Sequence, residues 1–363
     1  SLIMERRFMR CLRETKDSSG NGMKLILILI VGLWSCACAD DAPVVETVLA
    51  YQRTCGGWPK NYNRKRILTP SDRQQLRKQR SRMDTTIDNG ATYTEIRLLA
   101  GAFETSGQSC LKIAVLKGVD YLLDGQMENG GWSQSFPEGR GYVREVTFND
   151  NAMVGVMNLL KDIADKAPPF DFIPASKRER AESAVKRGIS CVLRSQVFID
   201  GVPTSWCAQH DRRTLAPCRG RSYELPSLSG SESVGIVRFL MRVEKPDLAV
   251  KQSIEGAVAW FKRVELTGIR VERKVEESQP GGFDTVVVRD LGAPPLWARF
   301  YDLHTNKPIF SGRDGVPRAS LAEIPHERRN GYSWLGPYAR VLLDEDWPRW
   351  RTRNRPEASR LVK

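Results

Sequence analysis

Gly56-Gly57-Trp58-Pro59, Gly130-Gly131-Trp132-Ser133 and Thr204-Ser205-Trp206-Cys207 decide the fold of this 363-residue chain. The three tryptophans stand 74 residues apart, twice, and each follows a glutamine: Tyr51-Gln52, Gly125-Gln126 and Ser195-Gln196. A fixed period marks a repeated supersecondary unit that buries its apolar face against its neighbours. Asp150 follows Trp132 by eighteen residues and Glu224 follows Trp206 by the same step, whereas Asp88 follows Trp58 by thirty. The first unit therefore carries about a dozen extra residues in its loop.

Between these loops the apolar residues recur at three- and four-residue steps. Leu111–Leu123, Ala152–Ile163, Ala181–Leu193, Val234–Val243 and Ile254–Val264 all read as helices. Asn149-Asp150-Asn151 and Ser231-Glu232-Ser233 are expected N-caps. A unit is then helix, tryptophan loop, acidic cap, helix. Repeated antiparallel pairs of this kind predict an all-α fold, an α/α toroid or partial α/α barrel whose long loops gather at one end. From about Ile269 the texture changes, and Gly281 to Val288 alternates weakly, as a short strand or an extended loop. That leaves a little β structure in the C-terminal part. No Gly/Ser-rich linker interrupts residues 40–363, so they are expected to form one domain.

Residues 1–22 show no regular apolar period. Met23 opens a different text: Lys24, the apolar run Leu25 to Val31, then Ala37-Cys38-Ala39 before Asp40. A positive start, a short apolar run and an A-x-A site predict a signal peptide over 23–39, with 1–22 an upstream extension. The run is too short to be a transmembrane segment. The expected destination is secreted or periplasmic, and Cys36 and Cys38 leave a lipid anchor open. The whole chain has a formal charge of +13, of which +10 lies beyond residue 39. That balance suits a polyanion, and export makes an acidic polysaccharide a better partner than nucleic acid. Beyond the leader Cys55, Cys110, Cys191, Cys207 and Cys218 lack zinc-like spacing and are expected to be structural, with one or two bridges at most. Three histidines exclude a histidine-rich metal site.

The chemistry-bearing residues cluster in the loops. Asp88-Asn89 and Asp150-Asn151 supply the oxygen ligands that a hard cation such as calcium requires, and equivalent loops would bring them to one mouth. Capping alone would explain either of them singly. Arg221 and Tyr223 lie in Arg219-Gly220-Arg221-Ser222-Tyr223-Glu224, and Arg299 and Arg313 lie among aromatic or glycine residues. Arginine forks match carboxylates, and flat amphipathic rings such as Trp132 and Tyr223 suit sugar faces. His210, beside Asp211, reads as polar scaffold or as a substrate contact.

These stretches resemble polysaccharide lyase family 10, the pectate lyases. The likeness rests on Asp84-Thr85-Thr86-Ile87-Asp88-Asn89-Gly90-Ala91-Thr92, on Phe148-Asn149-Asp150-Asn151-Ala152-Met153 and on Trp206-Cys207-Ala208-Gln209-His210-Asp211. It continues through Arg221-Ser222-Tyr223-Glu224, Pro226-Ser227-Leu228-Ser229-Gly230-Ser231-Glu232-Ser233 and Phe310-Ser311-Gly312-Arg313-Asp314-Gly315, and so runs from about Thr47 to Trp350. The resemblance implies an α/α toroid acting on polygalacturonate with Ca2+; the chain is expected to be a monomer. It implies Arg221 as catalytic base, Asp88 and Asp150 as metal ligands with Asp88 essential to catalysis, and Arg299 and Arg313 as uronate-binding groups. Asn89, Trp132, His210 and Tyr223 are the further expected substrate contacts. Two departures are Gly220, where alanine is expected, and Ser205, where a bulkier apolar residue is usual. Two other readings stay open on residues alone. Asp88 and Asp150 could serve as the acid and base of a glycoside hydrolase on the same scaffold, or the chain could bind acidic glycans without cleaving them.

Overall fold

The computed structural model describes residues 42–354 apart from Glu138; the proposed extension and signal peptide lie outside the described residues. Helix α1 spans 42–51. It is followed by α2 (Pro70–Lys78), α3 (Tyr93–Ser106), α4 (Ser109–Asp124), α5 (Ala152–Ala164), α6 (Ala175–Ser195), α7 (Glu232–Leu240) and α8 (Leu248–Arg263). Each predicted segment falls on a helix, though α7 stops at Leu240, short of the expected Val243. The sequence pattern passed over α1, α2 and α3. Helix α2 buries only Leu76, and a reciprocal capping box between Thr69 and Asp72 holds its start.

Helices α3 and α4, α5 and α6, and α7 and α8 pack as hairpins. Helices α3, α5 and α7 also pack in succession, as do α4, α6 and α8, so the chain lays down two helical rows. Sequence patterning assigns each row. Almost every residue of α7 from Glu232 to Leu240 is buried, whereas α6 buries only a stripe through Ala181, Ala184, Val185, Gly188 and Val192. The charged face of α6 stays in water.

The repeat seen in the sequence is a repeat of hydrogen bonds. The indole N–H of Trp58, Trp132 and Trp206 donates to Val48 in α1, Leu122 in α4 and Val192 in α6, at 2.7, 2.8 and 2.7 Å. Trp297, out of step by spacing, does the same to Phe261 in α8 at 2.9 Å. All four acceptors lie near the C-terminal end of their helices, where carbonyls lack intrahelical partners or hold them weakly. Each glutamine amide is a second clamp. Gln52 donates to Gly56 and to Ala114 in α4, Gln126 to Gly130 and Ala184 in α6, Gln196 to Thr204 and Ser253 in α8. Every unit is thereby tied to the next. Gly56 and Gly130 adopt φ of +101° and +89°, and a Cβ there would come within 2.3 Å of Lys117 O or 2.2 Å of Arg187 O. That close approach explains the glycine pairs.

The tryptophan loops then run as short bridged strands across the starts of α3, α5 and α7. Thr86, Thr147 and Ser229 donate to the carbonyls of Trp58, Trp132 and Trp206. Ile87, Phe148 and Gly230 donate to Gln134, Ala208 and Arg299, which stand two residues beyond the next unit's tryptophan. This register corrects the sequence alignment of the acidic positions. Asp88 corresponds to Asn149 and Ser231, and Asn89 corresponds to Asp150 and Glu232. The backbone agrees, for Asn89 and Asp150 share φ of 51°. Glu224 is not the third unit's equivalent.

After α8 the chain forms a hairpin, Ile269–Val275 with Phe283–Arg289, so the ambiguous segment is a strand. A second, smaller core of Ala208, Tyr223, Phe300, Phe310, Leu321, Ile324 and Trp334 joins this tail to the loop rim. Three expectations fail. No side-chain cap is made at the starts of α5 or α7, which frees those acids for other partners. The five described cysteines are unbridged, which a ceiling of one or two bridges allows. Trp132 is fully buried and spends its N–H on Leu122, so it cannot face a sugar. His210 is fully buried in the strand Gln209–His210; its Nε2 accepts from Cys207 N–H at 3.0 Å, and its Nδ1–H donates to Leu215 O at 2.8 Å. It is scaffold, not a substrate contact.

His210 makes a prediction about pH. Burial lowers its pKa to about 4, against which the bond to Leu215 O works. The unfolded chain binds this proton near pH 6.5 and the folded one does not. Stability from this group is therefore complete above the unfolded value and falls as pH drops toward 4, by up to about 3 kcal/mol. Denaturant melts of His210→Gln, compared with the parent from pH 7 to 4, should show a shallower loss over that window. Parallel slopes would count against this assignment.

Candidate active site

The rim places a cation two residues after the first and last tryptophans. Lys60 follows Trp58 at this step and reaches Asp88; Arg299 follows Trp297 and reaches Asp150 and Glu232. Asp88 is 3% exposed, and its Oδ1 is buried without a hydrogen-bond partner while Oδ2 takes Lys60. A carboxylate oxygen left so costs about 1–3 kcal/mol or more, so the site is built for something further. Asp150 is open to solvent; Arg299 lies 3.2 Å from its Oδ1, and the Asn149 amide donates to its Oδ2 at 2.9 Å. The one-residue offset between the units explains this contrast: Asp88 holds the inward position, Asp150 the outward one.

The turns carrying Asp88 and Asp150 pack against each other. Tyr93, at the start of α3, senses both. Burial raises its phenol pKa, and Glu95, Asp150 and Asp88 push it further. Its ring lies against Gly155 of α5, where a Cβ would come within 2.3 Å of it. Asn89, exposed in the left-handed region, donates to Asn61 at 3.2 Å. These donors are all oxygens, as a hard cation prefers, but among the described residues no group of three or more His, Cys, Asp or Glu side chains is preassembled. A cation here would need oxygens from water or from a ligand.

Arg221 stands across the rim. Its Nη2 lies 2.5 Å from Glu224 Oε1, its own N–H donates to Glu224 Oε2 at 2.8 Å, and its guanidinium lies 5.1 Å from the Tyr223 ring and 5.5 Å from that of Tyr332. Tyr142 links this end to the acids. Burial raises its phenol; Arg221 and Lys60 lower it, while Glu224 and Asp88 raise it. Arg221 and Asp88 thus share one neighbour in Tyr142. Burial works against the charge of Arg221, but Glu224 outweighs it and holds the guanidinium above its ordinary range. Burial likewise tends to raise Glu224, and Arg221 keeps it down.

Arg299 is buried on the acidic side, 4.6 Å from the Tyr332 ring. Burial opposes its charge, and Glu232, Tyr332 and Asp150 raise it in compensation. Arg313 is mostly exposed, pairs with Glu327 at 2.8 Å and lies beside Tyr223 on the Arg221 side. Tyr223 is 4% exposed, and Arg328 and Arg221 flank its ring, so it supports arginines and does not stack on a sugar. A Cβ on Gly220 would come within 2.4 Å of Gln209 Oε1 and 2.6 Å of Glu224 Oε2, so alanine there would press on the partner of Arg221. Ser205 is fully buried with an unpartnered hydroxyl.

Sequence reading missed Lys60, Asn149, Tyr142 and Tyr332. Lys60 carried a signal, since it follows Trp58 by the step at which Arg299 follows Trp297. Tyr332 lies outside the repeat and carried none.

Known proteins resemble this chain over most of its length. Residues 52–343 match the family model of pectic acid lyase. A mutant of the family 10 polysaccharide lyase from Cellvibrio cellulosa, in complex with trigalacturonic acid, superposes with a TM-score of 0.75 and 35% identity, over 84% of this chain and 92% of that one. A second structure of family 10 polysaccharide lyase from Cellvibrio cellulosa gives 0.73 and 35%, over 84% and 91%. No curated protein matches the chain significantly. The hydrolase and pure binding readings give way to this match. A repeat that gathers acids and arginines on one rim, and a family match that spans it, make this chain a polysaccharide lyase of the pectic acid lyase family, family 10.

Proposed function

We propose that this lyase cleaves α-1,4-linked polygalacturonate by calcium-dependent β-elimination, leaving a 4,5-unsaturated galacturonate end, on helical hairpins arranged as an α/α toroid. The observation that carries the reading is the buried, unpartnered oxygen of Asp88 beside Asp150, across a shared tyrosine from Arg221. The trigalacturonic acid complex of the similar structure supports the substrate class. The two-row packing of α3, α5 and α7 against α4, α6 and α8 supports the toroid. Export of the chain rests on the leader sequence; among the described residues no helix is long and apolar enough to cross a membrane.

In a uronate the C5 proton is α to a carboxylate and only weakly acidic. Asp88 and Asp150 would hold calcium, which would neutralise that carboxylate and stabilise charge developing next to it. Lys60 already compensates one oxygen of Asp88, and Arg299 and Asn149 hold those of Asp150, so Asp88 Oδ1 is the oxygen of the pair left without a partner. Arg299, fixed by Glu232 and Asp150, presents its guanidinium at the acidic end of the groove and orients a uronate carboxylate. Arg313 does the same near Arg221. Arg221 takes the C5 proton, the C5–H electrons form the C4–C5 double bond, and the C4 oxygen leaves with its bonding pair. Arginine is a demanding base. In the free protein Glu224 keeps Arg221 protonated while Arg313 acts in the opposite sense. Activation therefore belongs to the loaded groove, where added positive charge offsets Glu224.

Two measurements test this. Arg221→Ala should lower kcat on polygalacturonate by about 10²–10⁴-fold or more, read from the ultraviolet absorbance of the unsaturated end, while polymer binding persists. Substantial residual turnover would remove Arg221 as base. Chelator should abolish turnover and added calcium restore it, and Asp88→Asn and Asp150→Asn should each weaken calcium binding measured by calorimetry. Full activity after chelation would defeat the metal assignment.

A further inference from the structure

Tyr332 belongs to no repeat and to no expected site, yet it touches both arginines of the groove. Its hydroxyl donates to Glu224 Oε1 at 2.8 Å, the same oxygen that holds Arg221 Nη2 at 2.5 Å. Its ring lies 4.6 Å from the Arg299 guanidinium and 5.5 Å from that of Arg221. Tyr223 meets the ring edge-on at 5.3 Å, Phe300 stacks against it at 6.1 Å and Trp334 crosses it at 5.1 Å, so it has no freedom to turn away. A phenylalanine would fill the same space without the donor.

We propose that Tyr332 is a positioning residue that sets the basicity of Arg221 through Glu224 and, with its ring, fixes the spacing between Arg221 and Arg299. The proposal rests on Arg221 acting as base. The Tyr332 hydroxyl and Arg221 Nη2 compete for one oxygen of Glu224, so each weakens the hold on the other. The phenol is a permanent donor, because burial, with help from Glu224 and Glu232, raises its pKa far out of the working range against the pull of Arg299. The groups facing Arg221 are the Glu224 carboxylate and the faces of the Tyr223 and Tyr332 rings, which favour its charge, Arg313, which opposes it, and Tyr142. Removing the hydroxyl leaves all of these in place and returns the full strength of Glu224 to Arg221.

The experiment is the pH profile of kcat and KM on polygalacturonate for wild type, Tyr332→Phe, Tyr332→Leu, Glu224→Gln and Glu224→Gln/Tyr332→Phe. Tyr332→Phe should leave KM within about two-fold, lower kcat about five-fold at mid-range pH, and move the rising limb to higher pH. In the Glu224→Gln background the same change should shift nothing further. Tyr332→Leu should raise KM as well, since both arginines lose their ring. A Tyr332→Phe profile that overlies wild type, or one that falls evenly with an unmoved limb, would overturn the proposal. Arg221→Ala run alongside separates the two readings: high activity there sinks the base assignment itself, whatever Tyr332 does.

Discussion

The rim depends on one interaction made four times, an indole N–H given to the last carbonyls of a helix. Trp58, Trp132, Trp206 and Trp297 each close the end of the preceding long helix and turn the chain across the start of the next. Because the indole is buried, its N–H must find a partner, and an end-of-helix carbonyl has a lone pair to give. The glutamines repeat the device between neighbouring units. The result is that α3, α5 and α7 all begin on one side, with their leading residues side by side.

That arrangement accounts for the chemistry. Residues that start helices in successive units become neighbours in space although more than sixty positions apart in sequence. Asp88, Asn149, Asp150 and Glu232 are brought together this way, and Arg299 enters as the fourth unit's contribution. Were these acids engaged in capping, they would be spent on their own backbones. The left-handed turns at Asn89 and Asp150 and the absence of side-chain caps keep them available. Charge is balanced locally, with Lys60 against Asp88, Arg299 against Asp150 and Glu232, and Arg221 against Glu224. One buried oxygen of Asp88 is left over.

Much of this was legible in the sequence. The 74-residue period and the apolar helical steps led to helical hairpins, the acidic turns pointed to Asp88 and Asp150, and the family resemblance pointed to Arg221. The period did not show that Asp88 pairs in register with Asn149, because loops of unequal length hide a one-residue offset that only main-chain bonding reveals. Nor did it distinguish rings that bury from rings that face a ligand. Trp132 has the composition of a sugar platform and the environment of a core residue. His210 sits beside Asp211 in a motif, but the β-ladder turns its imidazole inward. Tyr332 and Tyr142 act through space alone, and no spacing in the chain announces them.

The account turns on one uronate bridging the acidic and basic sides of the groove, and this can be measured without turnover. Calcium and trigalacturonate should be titrated calorimetrically into the Arg221→Ala protein, each alone and each in the presence of the other. Linkage requires that if both meet at Asp88 and Asp150, each tightens the other by the same factor, and that Asp88→Asn removes the coupling. Equal affinities with and without the second ligand would show that the two do not share a site, and would contradict the proposed mechanism.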